Sequence, residues 1–369
     1  MSEPAITELE FLRKLQRLLK EGDFSATYKF ALLNALADLS VERALEPDGS
    51  LRVPVDAIAA KFLEYYWPQA RPYRTIDREP FVLHQNAGRQ AVVIKAVASL
   101  QTKSPTVGSA RRSRSWDSQI RRVAANIVQM PLWKLQRLGS DNDEFLYRES
   151  EFADRSIRLL PGVPTAFRTL YGLVLDAVRG AWIRQIRQIK ENQRLLEDSD
   201  LASFLFGTER GALADFAGVL REYQRNRCLY CSREMRGGGE VDHFVAWARY
   251  PVDLGHNLVL AHRECNNAKR DFLAYPGHIE RWYSSHLEHP GELAERFKVA
   301  KLPYDLNRTK AIAWWAYDQG ECAGAHAWIE KNRVMKLDPS WRSAMGMEEL
   351  ARVADAKPPE YRAEPSATD

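Results

Sequence analysis

Residues 227–271 read RCLYCSREMRGGGEVDHFVAWARYPVDLGHNLVLAHRECNNAKRD, and two patterns are superimposed in them. The first is a ligand pattern. Cys228-x-x-Cys231 is followed about thirty residues later by His262-x-x-Cys265. Two such turns can bring four soft or borderline donors onto one tetrahedral ion, which staples a short segment with little apolar core of its own. The second pattern lies between them. Gly237-Gly238-Gly239 can turn through positive φ, and Glu240–Val245 alternates as a strand does. A loop covers 246–255, Asn257-Leu258-Val259-Leu260 reads as a second strand, and a helix is expected over Asn266–Phe272. The expected unit is strand, loop, strand and helix, with zinc ligands at its outer edges.

This segment resembles the HNH endonucleases. That family carries Asp-His on the first strand, Asn before the second, and Asn or His at the start of the helix. The matching residues are Asp242-His243, Asn257 and Asn266, the last inside Cys265-Asn266-x-x-Lys269. The resemblance implies a ββα-metal module over 225–273 that hydrolyses phosphodiester bonds with a single catalytic ion and leaves 5′-phosphate and 3′-hydroxyl ends. It implies that His243 takes a proton from water as general base. Asp242 and Asn266 would each offer an oxygen to Mg²⁺ or Mn²⁺, although Asn267 sits beside Asn266. Asn257 would hold the loop that orients His243. Cys228, Cys231, His262 and Cys265 would hold a structural zinc, and Lys269 and Arg270 would meet phosphates. Two features depart from the family. His262 stands where many relatives have cysteine, and Phe244-Val245-Ala246-Trp247 replaces an isoleucine-rich run that ends in proline. Trp247 and Tyr250 are expected to pack beneath the loop, His256 to sit in an exposed turn, and Glu240 to lie on a solvent-side strand face.

The flanks read as helical, so the expected fold is mainly α (α+β overall). Helical N- and C-terminal regions flank the small zinc-stapled module. Glu8–Lys20 has leucines at helical spacing, and helices are expected to about Leu39, over Asp56–Tyr66 and over Ala87–Leu100. Residues 71–80 read as a linker, and Phe145–Tyr147 with Ser156–Leu160 as a small β hairpin. These readings divide the chain into 1–75, a second mostly helical region over 76–224, the module, and a C-terminal helical region over 274–355. That last region includes a long helix over Thr309–Lys331, with Cys322 as a small core residue. The tail 356–369 is expected to be disordered.

Composition sets outer limits. The chain has 369 residues, 45% hydrophobic and 28% charged, and a net charge of +4. That permits a nucleic-acid partner without requiring one. Arg111, Arg112, Arg114, Arg121 and Arg122 form a basic cluster, readable as a phosphate-contact surface or as a solvated helix face. Arg184, Arg187, Lys190 and Arg194 flank an Ile183/Ile186/Ile189 stripe that reads as a core face. With no secretory signal and no apolar run able to span a bilayer, the expectation is a cytoplasmic protein with no membrane partner. The leading reading is a DNA endonuclease in defence or a mobile element, with the helical flanks docking a protein partner. The competing readings are a zinc module that binds nucleic acid without cutting it, or an RNA-directed, toxin-like nuclease held in check by a partner.

Overall fold

The segment Tyr28–Glu42 (YKFALLNALADLSVE) is apolar on every side, and a helix of that kind is stable only when surrounded by others. In the computed structural model, which describes residues 5–75, 78–88, 90–193, 201–207 and 213–346, it is a helix buried along almost its whole length. The chain divides into two compact units, Met1–Ala212 with Lys301–Trp315, and Leu213–Ala300 with Ala316–Asp369. The boundary expected near residue 75 is therefore not where the units divide.

In the first unit, helices Val55–Tyr65, Val163–Thr169 and Tyr171–Gln188 pack around the central helix, and Glu8–Glu21 packs on Val163–Thr169. Glu8–Glu21 starts where the Thr7 hydroxyl accepts the Glu10 N–H. It buries Phe11, Leu15 and Leu18, each contributing roughly 1.5–3 kcal/mol. Polar groups sunk into this packing are paired. Lys61 Nζ lies 2.5 Å from Glu42 and 3.1 Å from Asp38, whose carboxylate also accepts the Tyr65 and Tyr171 hydroxyls. Arg308, from the returning segment, donates to Glu42 at 2.7 Å. Burial pushes the Glu64 carboxyl up, but Arg111, Lys61 and Arg308 more than offset this and hold it at about 2. The Ile186 and Ile189 side chains are buried while Arg184, Arg187 and Lys190 are exposed, as the stripe requires; Arg194 lies outside the described residues.

Three local expectations for this unit are corrected. The strand Ser156–Leu159 pairs antiparallel with Leu51–Pro54. Tyr147 makes only a single bridge, to Leu159, so no hairpin forms there. Residues 71–80 contain two short paired strands, Tyr73–Thr75 and Arg78–Phe81, in place of a linker. The helix near residue 90 is Val92–Gln101.

The second unit opens with helix Ala214–Tyr223, which leads into the cysteine pair. The strands Glu240–His243 and Leu258–Ala261 pair antiparallel, with Asp242 opposite Val259 and His243 opposite Leu258. The following helix is Arg263–Lys269, three residues earlier than expected, with His262 at its N-cap. Leu273–Ala274 then pairs parallel with strand His326–Glu330, which pairs antiparallel with Arg333–Lys336. The long C-terminal helix is thus shorter than expected. It ends at Cys322, Gly324 takes φ +63°, and a hairpin follows. Cys322 itself is exposed, not a core residue. Helices Pro276–Trp282 and Gly291–Val299 complete a core in which Trp282 stacks on Phe244 at 4.1 Å. The expected disordered tail, 356–369, lies outside the described residues. No helix among the described residues is long and apolar enough to cross a membrane.

Candidate functional site

The CxxC segment folds as a tight turn. The Ser232 N–H donates to Cys228 O at 2.9 Å, and the Cys228 N–H to Arg233 O at 3.0 Å. Ser232 takes φ +59° to close it. The second pair lies at the start of helix Arg263–Lys269. The ligand atoms of Cys228, Cys231, His262 and Cys265 all lie within 4.8 Å of one another. A tetrahedral zinc with sulfur at about 2.3 Å spaces its donors a little under 4 Å apart, so small side-chain rotations close the set. His262 turns Nδ1 toward Cys231 Sγ at 3.2 Å, and its Nε2 meets Glu234 O at 3.3 Å, which fixes the ring. The Cys228 thiol is held down, first by a hydrogen bond from Cys265 and, against the effect of burial, by the backbone N–H groups of Cys231, His262 and Tyr230. Cys265, the donor in that bond, is pushed up by it. Thiolate character already present at one sulfur suits a Cys₃His structural zinc site.

Gly239 explains why the glycine triplet precedes the strand. None of its three glycines takes positive φ, contrary to the turn expected there. A Cβ at Gly239 would instead sit 2.6 Å from Met235 Sδ and 3.1 Å from Ala261 O. Close approach, not turn handedness, requires glycine here.

His243 closes the first strand and is buried. Its Nε2 lies 2.8 Å from Asp253 Oδ1, and its ring lies 5.1 Å from that of Trp247. An ionised carboxylate only accepts, so this pair places the proton on Nε2 and leaves Nδ1 as the ring's acceptor. Asp253 is a partner of His243 that the sequence reading missed. It is the sole carboxylate between His243 and Asn257, which is the signal that marks it. Asn257 spans the loop. Its Oδ1 accepts the Val245 N–H at 2.9 Å, its Nδ2 donates to Val245 O at 3.0 Å, and its backbone O accepts the Phe244 N–H. His256 is fully buried, not in an exposed turn, and Tyr250 is buried too.

Asp242, on the neighbouring strand position, is gripped from below. Its Oδ2 accepts the Tyr230 hydroxyl at 2.5 Å and lies 3.1 Å from Lys269 Nζ. Burial first, then the charge and hydrogen bond of Asp242, push the Tyr230 hydroxyl well above its usual range, so it remains a donor. Glu240 keeps a solvent-side position, as expected, and its Oε2 accepts a hydrogen bond from Asn266 Nδ2 at 3.0 Å. Asp242 Oδ1 and Asn266 Oδ1 take no hydrogen bond among the described residues. They are hard oxygen donors of the type a divalent cation takes, and the residues fit such an ion.

Lys269 has no exposed surface, and besides Asp242 it donates to His243 O at 2.9 Å. It therefore has nothing to offer a phosphate, which corrects the expectation for it. Arg270 is exposed and takes φ +49° at the helix end. Arg111 is engaged by Glu64, whereas Arg112 and Arg114 are exposed on the first unit.

These features, a Cys₃His staple, a two-stranded hairpin bearing Asp-His and a short helix bearing Asn, define a class. Residues 228–272 match the family described as HNH endonuclease, so the chain carries a phosphodiester-hydrolase domain. Residues 8–205, just over half of the chain, match a second family, and the chain belongs to it: the domain of unknown function DUF8808. No curated protein and no solved structure matches the chain.

Proposed function

We propose that this protein is a DNA endonuclease that hydrolyses phosphodiester bonds with one catalytic divalent ion. The observation that carries the reading is the His243–Asp253 pair, with Asp242 the adjacent residue of the same strand and Asn266 joined to that strand through Glu240. Asp253 keeps the proton on Nε2, so Nδ1 of His243 removes the proton from an attacking water. Asn257 ties the loop that carries Asp253 to the end of the strand that carries His243, and so sets the angle of the imidazole. Asp242 and Asn266 would hold a divalent ion, Mg²⁺ or Mn²⁺, which would offset charge at phosphorus and on the departing 3′ oxygen. Trp247 shields the imidazole on one side. Arg270, Arg112 and Arg114, all exposed, are the phosphate contacts we assign to the nucleic acid.

The test is conversion of supercoiled plasmid to nicked form with Mg²⁺ or Mn²⁺. Wild type nicks, while His243→Ala and chelator-treated protein do not. Cleavage of RNA with intact plasmid would move the substrate assignment to RNA. Zinc-loaded protein that binds DNA and cuts neither polymer would overturn the nuclease reading in favour of a binding module.

A further inference from the structure

Lys269 is a fully buried cation, and a buried ammonium persists only where its charge and its donors are all met. Here it is met by the site itself. Nζ lies 3.1 Å from Asp242 Oδ2, donates to the His243 carbonyl at 2.9 Å, and stands over the Tyr230 ring at 5.9 Å from its centroid. It thus touches the backbone of the general base and the carboxylate of the ion's only charged donor, given the assignment of Asp242 and Asn266 proposed above. Asn266 is neutral, and the nearby Glu240 lies 3.4 Å from the Arg263 guanidinium. Asp242 is thus matched by Lys269 and Glu240 by Arg263, while the remaining carboxylate, Asp253, is turned to the His243 ring.

We propose that Lys269 is a built-in counter-charge that makes binding of the divalent ion depend on the substrate phosphate. A doubly charged cation held by one offset carboxylate and one amide oxygen gains little from the protein alone. The scissile phosphate supplies the missing negative charge, so ion and nucleic acid bind together. The same contact fixes geometry. With Oδ2 taken by Lys269 and Tyr230, Oδ1 is the Asp242 oxygen left for a cation. Lys269 is accordingly a positioning residue, and the inference rests on the nuclease reading.

The experiment uses zinc-loaded full-length protein carrying His243→Ala, so that nucleic acid survives, with bound Mn²⁺ counted by electron paramagnetic resonance with and without short duplex DNA. Mn²⁺ is expected to bind at least about tenfold more tightly with DNA present, because the phosphate restores the charge that Lys269 cancels. Lys269→Met is expected to bind Mn²⁺ at least about tenfold more tightly without DNA, and to lose most of the DNA dependence. Asp242→Asn should abolish the signal in both conditions and so identify the site. DNA-free affinity that is unchanged or weakened in Lys269→Met overturns the proposal, because a merely structural lysine behaves that way. Should Lys269→Met fail to retain zinc, the protein with Lys269 intact decides alone: equal Mn²⁺ affinity with and without DNA refutes the counter-charge. DNA-independent Mn²⁺ binding in the His243→Ala protein, while the wild type nicks plasmid, sinks this proposal only. Absence of Mn²⁺ under every condition, with uncut plasmid, sinks the nuclease reading and this proposal with it.

Discussion

Replacing Asn257 by alanine tests how the loop is held. The side chain satisfies both backbone groups of Val245, a residue with 1% exposure, through bonds of 2.9 and 3.0 Å. Alanine leaves a buried N–H and a buried C=O without partners, each costing about 1–3 kcal/mol, so Asn257→Ala should destabilise the module by roughly 2–5 kcal/mol. The damage falls between His243 and Asp253, whose 2.8 Å bond depends on where the loop lies. A shift of about 1 Å there should cost the nicking rate on the order of a hundredfold. The assay is zinc release into a colorimetric chelator as urea is raised, because zinc leaves when the module opens, with plasmid nicking measured in parallel. An unchanged urea midpoint together with nicking within about twofold of wild type would show that the two bonds neither hold the loop nor aim the imidazole.

Other outcomes follow from the same packing. His286 is fully buried in the second unit, and burial first, then the neighbouring His256, hold it down to about 3. The folded state therefore favours its neutral form. Stability is complete above the unfolded-state value of 6.5 and falls toward pH 3 by at most about 1.4 kcal/mol per pH unit. His278, held down to about 4 by burial, adds to the loss between 6.5 and 4. Zinc release should thus need less urea at pH 5 than at pH 7, and His286→Gln should flatten that slope; an undiminished slope in the variant would assign it elsewhere. Gly255→Ala would drive a Cβ to 2.5 Å from the Phe297 ring, and overpacking of this kind costs about 1–3 kcal/mol. Zinc release read against urea should show that loss, and Phe297→Leu in the same chain should restore part of it. Stripping zinc at neutral pH should abolish nicking even in excess Mg²⁺, because the turn and the helix start are joined through the ion. Full activity with no zinc detectable by metal analysis would count against a structural role for the four ligands.

The chemistry of this site was more legible in the sequence than its support. Cysteine spacing and the Asp-His, Asn and Asn positions are local patterns, and local patterns survive without a structure. Asp253 carries no motif, because its role depends on how a loop folds back onto His243. Lys269 was visible as a motif residue, yet a lysine at a helix end reads as exposed; only the depth of the Tyr230 and Asp242 pocket shows otherwise. The same limit hid His256, whose turn faces inward beneath Phe297. In the C-terminal region, apolar residues at Trp314, Trp315, Trp328 and Ile329 kept a helical rhythm through Gly324. The left-handed glycine and the paired strand Leu273–Ala274 ended the helix there, and neither is encoded by periodicity. In the first unit, Ser156–Leu159 found Leu51–Pro54, a partner about a hundred residues away that no nearby pattern marks.

The interleaving of the two units constrains the order in which a newly made chain can be completed. The first unit waits for Lys301–Trp315, which brings Arg308 to the buried Glu42 and Trp315 to the Arg168 carbonyl. At about 5–20 residues per second on the ribosome, the roughly hundred residues after Ala212 impose a delay on the order of 5–20 s. The nuclease unit waits longer still, since Trp328 packs against Tyr230 at 5.2 Å and strand His326–Glu330 pairs with Leu273–Ala274. A chain released early by a premature stop before that strand carries every residue of the HNH match, 228–272, but not the wall behind Tyr230 and Asp242. Aborted synthesis therefore yields fragments whose HNH module lacks the strand that pairs with Leu273–Ala274 and the Trp328 ring that packs on Tyr230.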